Sequence, residues 1–124
     1  MAIVGIGIDT VEILRVAAAA RRGRFVERIF TADERAYFAG RGWNSSVVAG
    51  NFAAKEAVLK ALGLGLAGAE MTDIEILRKD TGAPYVIVHG RAEKRLHELG
   101  GSRIWITISH DRWRAVAQAV AEGD

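Results

Sequence analysis

The run Gly50-Asn-Phe-Ala-Ala-Lys-Glu-Ala-Val-Leu-Lys-Ala-Leu-Gly63 restricts the fold more than any other feature of the chain. Read at helical spacing, Phe52, Ala53, Ala54, Ala57, Val58, Ala61 and Leu62 make most sides of one long helix apolar. Such a helix has to be wrapped by other elements. Asn44 or Ser45 can cap its start, and Gly63 and Gly65 close it after Leu62. Glu56 and Lys60 stand one turn apart on it, which in isolation reads as an ordinary i,i+4 surface pair worth about 0.2 to 0.5 kcal/mol. On a mostly buried helix, however, a carboxylate needs a partner. Magnesium suits it, because that ion takes one or two carboxylates and completes its shell with water and phosphate oxygens. Lys60 then serves as a point charge on the same phosphates.

The remainder of the chain supplies short strands and helices to do the wrapping. Ile3 to Ile8 alternates as a strand, and Thr10 to Arg22 repeats Val11, Ile13 or Leu14, Ala17 and Ala18 at helical spacing, which puts Arg15 and Arg22 on one face. Phe25, Ile29 and Phe30 form an apolar patch before Thr31-Ala-Asp-Glu34, a capping box that opens a helix reaching Ala39. A Gly-rich loop from Gly63 to Gly68 leads to a hairpin, with strands Asp73–Leu77 and Pro84–His89 joined at Lys79-Asp-Thr-Gly82. A charged helix from Arg91 to Leu99, a β-branched strand from Arg103 to Ser109 and a returning strand from Trp113 to Ala121 complete the pattern. The expected architecture is one α+β domain over residues 1–124, a long helix packed on a small antiparallel sheet.

Composition narrows the chemistry. At 124 residues and 50% hydrophobic the chain can bury a core, and with no cysteine it has no disulfide framework, thiol nucleophile or thiolate zinc site. The N-terminus meets Asp9 without a basic leader, and no apolar run reaches membrane-spanning length, so a cytoplasmic location is expected. Net charge is only +2, yet Arg15, Arg21, Arg22, Arg24 and Arg28 fall close together. That clustering points to an acidic or phosphorylated partner.

Asp9 stands where the first strand ends, and its plainest role is as a helix N-cap with Glu12 as reciprocal partner. Paired with Glu56 it becomes the second carboxylate of a cation site. Ser109-His110-Asp111 follows a strand, where His110 can meet a phosphate or exchange a proton, or simply sit in an Asx-type turn. Gly5-x-Gly7 is not a dinucleotide loop, because Thr10 stands where the third glycine belongs and the glycines lie inside the strand. They suit close approach by another backbone or a ligand. Two other function classes fit parts of the pattern. A nucleic-acid-binding domain would use Arg21 to Arg24 with Trp43, Trp105 and Trp113, but Trp105 alternates within an apolar strand and reads as buried. A magnesium-dependent phosphohydrolase would use the same Asp9 and Glu56 and deliver the phosphoryl group to water.

Taken in order, the fragments Gly5-Ile-Gly-Ile-Asp9 with Glu12 and Arg15, Phe25-Val-Glu-Arg-Ile-Phe-Thr31 with Glu34, Phe52-Ala-Ala-Lys-Glu-Ala57 with Lys60-Ala-Leu-Gly63, Asp73-Ile-Glu-Ile76, Gly82-Ala-Pro84 and Ile108-Ser-His110 resemble holo-[acyl-carrier-protein] synthase, the small phosphopantetheinyl transferases. The resemblance runs from Ile3 to Ala119. It implies the 4′-phosphopantetheinyl transferase fold as a homotrimer with active sites between subunits. The implied reaction moves 4′-phosphopantetheine from coenzyme A to a serine of apo acyl carrier protein and releases adenosine 3′,5′-bisphosphate. Asp9 and Glu56 match the magnesium ligands, and Lys60 the group that steadies the pyrophosphate or departing phosphate. The resemblance further implies that Ser109 and His110 lie beside the nucleotide end of coenzyme A, that Gly82 to Pro84 form part of the adenine pocket, and that Arg15, Arg22 and Arg24 face the acidic carrier. Whether Glu56 or a metal-bound water takes the serine proton is open. No nucleic-acid or membrane partner is expected.

Two departures bear on coenzyme A. Many relatives carry Arg where this chain has Asn51, and basic residues where it has Gly42-Trp43-Asn44. Arg41 is the available substitute for the 3′-phosphate contact.

Overall fold

The structure is a computed structural model that describes residues 1–65 and 70–124. The expected Gly-rich loop therefore falls partly outside the described residues. Elements follow the order β1 (Ala2–Glu12), α1 (Ile13–Ala20), α2 (Phe25–Ile29), α3 (Ala32–Gly40), α4 (Ser45–Ala61), β2 (Ile74–Arg78), β3 (Pro84–Val88), α5 (Gly90–Glu98), β4 (Arg103–His110) and β5 (Arg114–Gly123), with a 3-10 turn at Met71–Asp73. The strands form two antiparallel sheets, a three-stranded one in the order β1-β5-β4 and the hairpin β2-β3.

The long helix is where the sequence places it. Asn44 Oδ1 accepts the backbone N–H groups of Ser46 and Val47 at 2.9 and 3.3 Å, which satisfies donors the first turn would otherwise leave bare. At the far end Gly63 takes φ +67° and the Leu64 N–H reaches back to the Leu59 carbonyl at 2.9 Å. This left-handed closure suits glycine, which has no Cβ to clash.

One face of α4 lies against β1 and β5 at backbone contact. A Cβ on Gly5 would stand 1.9 Å from the Ala61 carbonyl oxygen, and one on Gly7 would stand 2.1 Å from that of Ala57. Opposite them β5 presents Ala115, Ala117, Ala119 and Ala121, all buried. Small residues on both sides let the helix sink onto the sheet, so the glycines serve backbone approach, as their place inside the strand suggests.

The other side of α4 is held by a buried polar network. Lys55 is fully buried, pairs with Glu34 Oε1 at 2.7 Å and donates to the carbonyls of Met71 at 3.0 Å and Ile74. Glu34 also accepts the Thr31 N–H at 2.9 Å, closing the capping box that opens α3, and the Ile76 N–H at 3.0 Å. Asn51 donates to the Ile76 carbonyl at 3.0 Å and accepts from Arg78 at 2.8 Å. Every buried side-chain polar atom among the described residues has a partner, as buried polar groups require.

Three expectations need correction. Strand β1 runs on to Glu12, because β5 pairs with it as far as Arg114, and α1 starts only at Ile13. Asp9 is therefore a strand residue opposite Ala117, and Glu12 occupies the N-cap position of α1. Arg22 lies beyond Arg21, the C-cap of α1, so Arg15 and Arg22 do not share one helical face. Trp105 is 55% exposed rather than buried. It stands with Ile6 and Val120 in a row across the side of the sheet that α4 leaves open, and its indole N–H donates to Glu122 Oε1 at 3.2 Å.

Candidate active site

Close packing of α4 on β1 brings Asp9 and Glu56 to a shared cleft of about 560 Å³. Its lining carries Asp9, Glu12, Glu56, Arg15 and Arg114 together with the apolar Val16, Phe25 and Phe52. Phe52, Glu56 and Lys60 repeat at one-turn spacing along α4, so the same helix supplies apolar wall, acid and cation in turn.

The electrostatics of the acids are coupled. Burial first, and then the Asp9 carboxylate, push the Glu56 carboxyl above its ordinary value, while Lys60 pulls it part of the way back. Lys60 does not pair with Glu56. Its Nζ donates to Asp9 Oδ1 at 3.0 Å and to the Ile8 carbonyl at 3.0 Å. Among the described residues Glu56 has no ion-pair or hydrogen-bond partner, so one ammonium serves two neighbouring carboxylates. A divalent cation would relieve that imbalance.

The donor set fits a hard divalent ion that takes oxygen ligands. No cluster of three or more acid or histidine side chains is arranged to hold a metal among the described residues. The protein thus offers two carboxylates and no full cage, which matches magnesium, an ion that keeps several waters and takes phosphate oxygens as its other ligands. It does not match a structural zinc or calcium site.

The remaining candidate residues are spread over the chain. Arg15 lines the cleft and stands 3.9 Å from Glu12. Arg24 pairs with Glu27 at 3.4 Å, and Arg22 lies in the exposed α1–α2 junction. Ser109 and His110 stand on β4, across β5 from Thr10 and Val11, and neither lines the cleft. His110 Nδ1 lies 3.2 Å from the Asp111 carbonyl. Gly82, with φ +91°, closes the β2–β3 turn, and Pro84 lines a separate cleft of about 200 Å³ with Lys79, Tyr85, Arg103 and Trp105. The guanidinium of Arg41 lies 5.6 Å from the centre of the Tyr37 ring, to which Arg78 also comes within 5.1 Å. One chain therefore unites Asp9, Glu56, Lys60 and Arg15, and leaves Arg41, Gly82, Pro84, Ser109 and His110 apart from them.

Sequence reading alone missed Arg114. It opens β5 directly opposite Glu12, and only the strand register reveals that proximity.

A family model described as the 4′-phosphopantetheinyl transferase superfamily matches residues 5–117. The holo-[acyl-carrier-protein] synthase of Clostridium perfringens is 46% identical over 127 residues, covering 98% of this chain and 96% of that protein. The enzyme of the same name from Alkaliphilus metalliredigens is 45% identical over 94% of this chain and 97% of its own length. Among solved structures, the Plasmodium yoelii acyl carrier protein synthase with ADP bound superposes with a TM-score of 0.88 at 33% identity, covering 99% of this chain and 97% of that one. The Bacillus anthracis holo-(acyl-carrier-protein) synthase in complex with CoA (3′,5′-ADP) gives 0.81 at 37% identity, with 98% of each chain covered.

Proposed function

The chain belongs to the 4′-phosphopantetheinyl transferase superfamily, and from this we infer that it catalyses the reaction its curated relatives are named for. It transfers 4′-phosphopantetheine from coenzyme A to a serine of apo acyl carrier protein. The serine Oγ–P bond forms, the P–O bond within the pyrophosphate breaks, and adenosine 3′,5′-bisphosphate leaves as the serine proton is taken up. The observation that carries this reading is likeness along the whole chain, 46% identity over 98% of it, to a holo-[acyl-carrier-protein] synthase.

Asp9 and Glu56 would hold the magnesium ion, a role supported by their shared cleft and by the single ammonium of Lys60 beside them. A magnesium ion held there would supply positive charge against the phosphoanhydride. Lys60, already fixed against Asp9 at 3.0 Å, holds the departing phosphate as a point charge. Phe25, Phe52 and Val16 keep one side of the cleft dry. Arg15, Arg22 and Arg24 face the acidic carrier, chiefly raising its association rate.

Ser109, His110, Gly82, Pro84 and Arg41 bind the nucleotide end of coenzyme A, with Arg41 on the 3′-phosphate. A second copy of the chain brings them to the cleft that Asp9 and Glu56 line, in a homotrimer with sites between subunits. The open sheet face supports this: Ile6 is 66%, Ile8 58% and Trp105 55% exposed, apolar side chains on one face that a neighbouring copy would cover. No helix of the described residues is long and apolar enough to cross a membrane, and we assign the enzyme to the cytoplasm.

The test is to incubate the protein with coenzyme A, magnesium and apo acyl carrier protein, with and without chelator, and to weigh the carrier intact. Metal-dependent gain of one phosphopantetheinyl group is the expected result. Release of the nucleotide with an unmodified carrier would instead identify a phosphohydrolase.

A further inference from the structure

Arg78 carries a positive charge that the chain itself does not answer. It ends β2 half-buried, with Nη2 donating to Asn51 Oδ1 at 2.8 Å and Nη1 to the Leu77 carbonyl at 3.4 Å. Among the described residues no carboxylate lies within 4.0 Å of its guanidinium.

The Tyr37 ring gathers a second such charge. The Arg41 guanidinium lies 5.6 Å from the ring centre and that of Arg78 5.1 Å. Arg41 is exposed and likewise has no carboxylate within 4.0 Å among the described residues. Burial first, and also the nearby Arg41 charge, lower the proton affinity of Arg78, while Tyr37 and Glu34 act the other way. Glu34 is already engaged by Lys55 and by the backbone N–H groups of Thr31 and Ile76. An anion bearing more than one charge would relieve both guanidiniums, and the planar fork of each suits the oxygens of a phosphate.

Position in the fold decides which phosphate. Arg78 pairs directly with Pro84 in the β2–β3 ladder, and such partners share one face of the hairpin. Arg78 therefore links Arg41, through the Tyr37 ring, to the turn from Gly82 to Pro84. Those are the parts of the chain assigned above to the 3′-phosphate and the adenine, two groups carried by one ribose. Asn51, standing where many relatives carry arginine, props a guanidinium here instead of bearing one: it donates to the Ile76 carbonyl at 3.0 Å and accepts from Arg78. We propose that Arg78 joins Arg41 in holding the 3′-phosphate of coenzyme A, its guanidinium delivered from β2 and aimed by Asn51, and so sets the preference for coenzyme A over dephospho-coenzyme A. This rests on the transferase reading above.

Calorimetric titration tests it, with coenzyme A and dephospho-coenzyme A each added in magnesium buffer to the wild type, Arg78→Gln, Arg78→Lys and the double variant Asn51→Arg with Arg78→Gln. Expected for Arg78→Gln is a Kd for coenzyme A about tenfold higher, the scale of one charge-assisted hydrogen bond. Its Kd for dephospho-coenzyme A stays unchanged, which also shows that the variant is folded. Arg78→Lys keeps the charge without the fork and recovers part of the loss. The double variant recovers more, because a guanidinium on position 51 enters the space beside it that Arg78 has left. Equal weakening toward both ligands would make Arg78 a structural residue and overturn the proposal, as would no weakening toward either. So would a wild type that binds the two ligands equally, or a double variant that binds dephospho-coenzyme A normally yet stays as weak toward coenzyme A as Arg78→Gln. Loading of apo acyl carrier protein by the wild type is measured alongside. No loading, with the binding pattern intact, would sink the transferase reading and leave the role of Arg78 standing.

Discussion

Glu56 is held where its charge is costly, with a proton affinity raised by burial and by Asp9. The folded state therefore binds its proton more tightly than the unfolded state, whose carboxyl titrates near 4.3. The sign follows from linkage: relative stability is greatest below that value and is lost as pH rises through the higher folded value. Glu56→Gln removes this loss. In metal-free buffer at neutral pH the variant should melt a few degrees above the wild type, while losing metal-dependent transfer; calorimetry and intact-mass loading measure the two halves. A variant that melts lower would mean that the Glu56 charge is not costly in the folded chain, and one that still turns over would mean that Glu56 does not hold the cation. Asp9 shows what single-residue reading misses. Its sequence context fits a helix cap, and only the nonlocal pairing with Ala117 makes it a strand residue aimed at α4.

At the level of elements, the contact of α4 with β1 sets the site. Gly7→Ala would place a Cβ 2.1 Å from the Ala57 oxygen and 2.7 Å from the Ala61 nitrogen, both backbone atoms that cannot rotate away. The helix must shift, at a cost of about 1 to 3 kcal/mol. Because Glu56 rides on that helix, kcat should fall even where the variant remains folded, as denaturant melts and rates would show. The buried pair behaves differently. Lys55→Ala leaves Glu34 without its cation inside the core and should cost about 3 to 5 kcal/mol, whereas Lys55→Met combined with Glu34→Gln should recover much of that stability. Equal losses in the single and double variants would show that the pair does not act as a unit. The helices α3, α4 and α5 were legible because caps and terminal glycines are local signals, as at Thr31, Asn44 and Gly100. The end of β1 was not, since Thr10 to Glu12 stay extended only through bonds to Val116, Ala115 and Arg114, more than a hundred residues away. The helix α2 was read only as an apolar patch, its five residues being too short to show a period.

For the whole molecule, the open face of the three-stranded sheet is the unfinished surface. Alternation in β1 and β4 announced two faces, but could not say which one α4 would cover, and Trp105 fell on the uncovered side. Its exposure removes the ground on which nucleic-acid binding was set aside from sequence. If a second copy covers this face, Val120→Asp, in the centre of the row with Ile6 and Trp105, should give a folded protein that sediments as a monomer and loads no carrier. A monomer of undiminished activity would mean that one chain suffices for the whole reaction.

The glycines at positions 5 and 7 also bear on how such a molecule can diverge. Where side chains pack on side chains, a core adjusts by exchanging one rotamer for another, and the spacing of anything mounted on it can drift. Here the helix rests on peptide groups at Ala57 and Ala61, which have no rotamers to exchange. On the function proposed above, substitution can therefore retune the arginines that line the cleft, and with them the choice of protein acceptor, far more freely than it can retune the gap between Asp9 and Glu56. Descendants of this chain would be expected to differ in whom they serve before they differ in what they do.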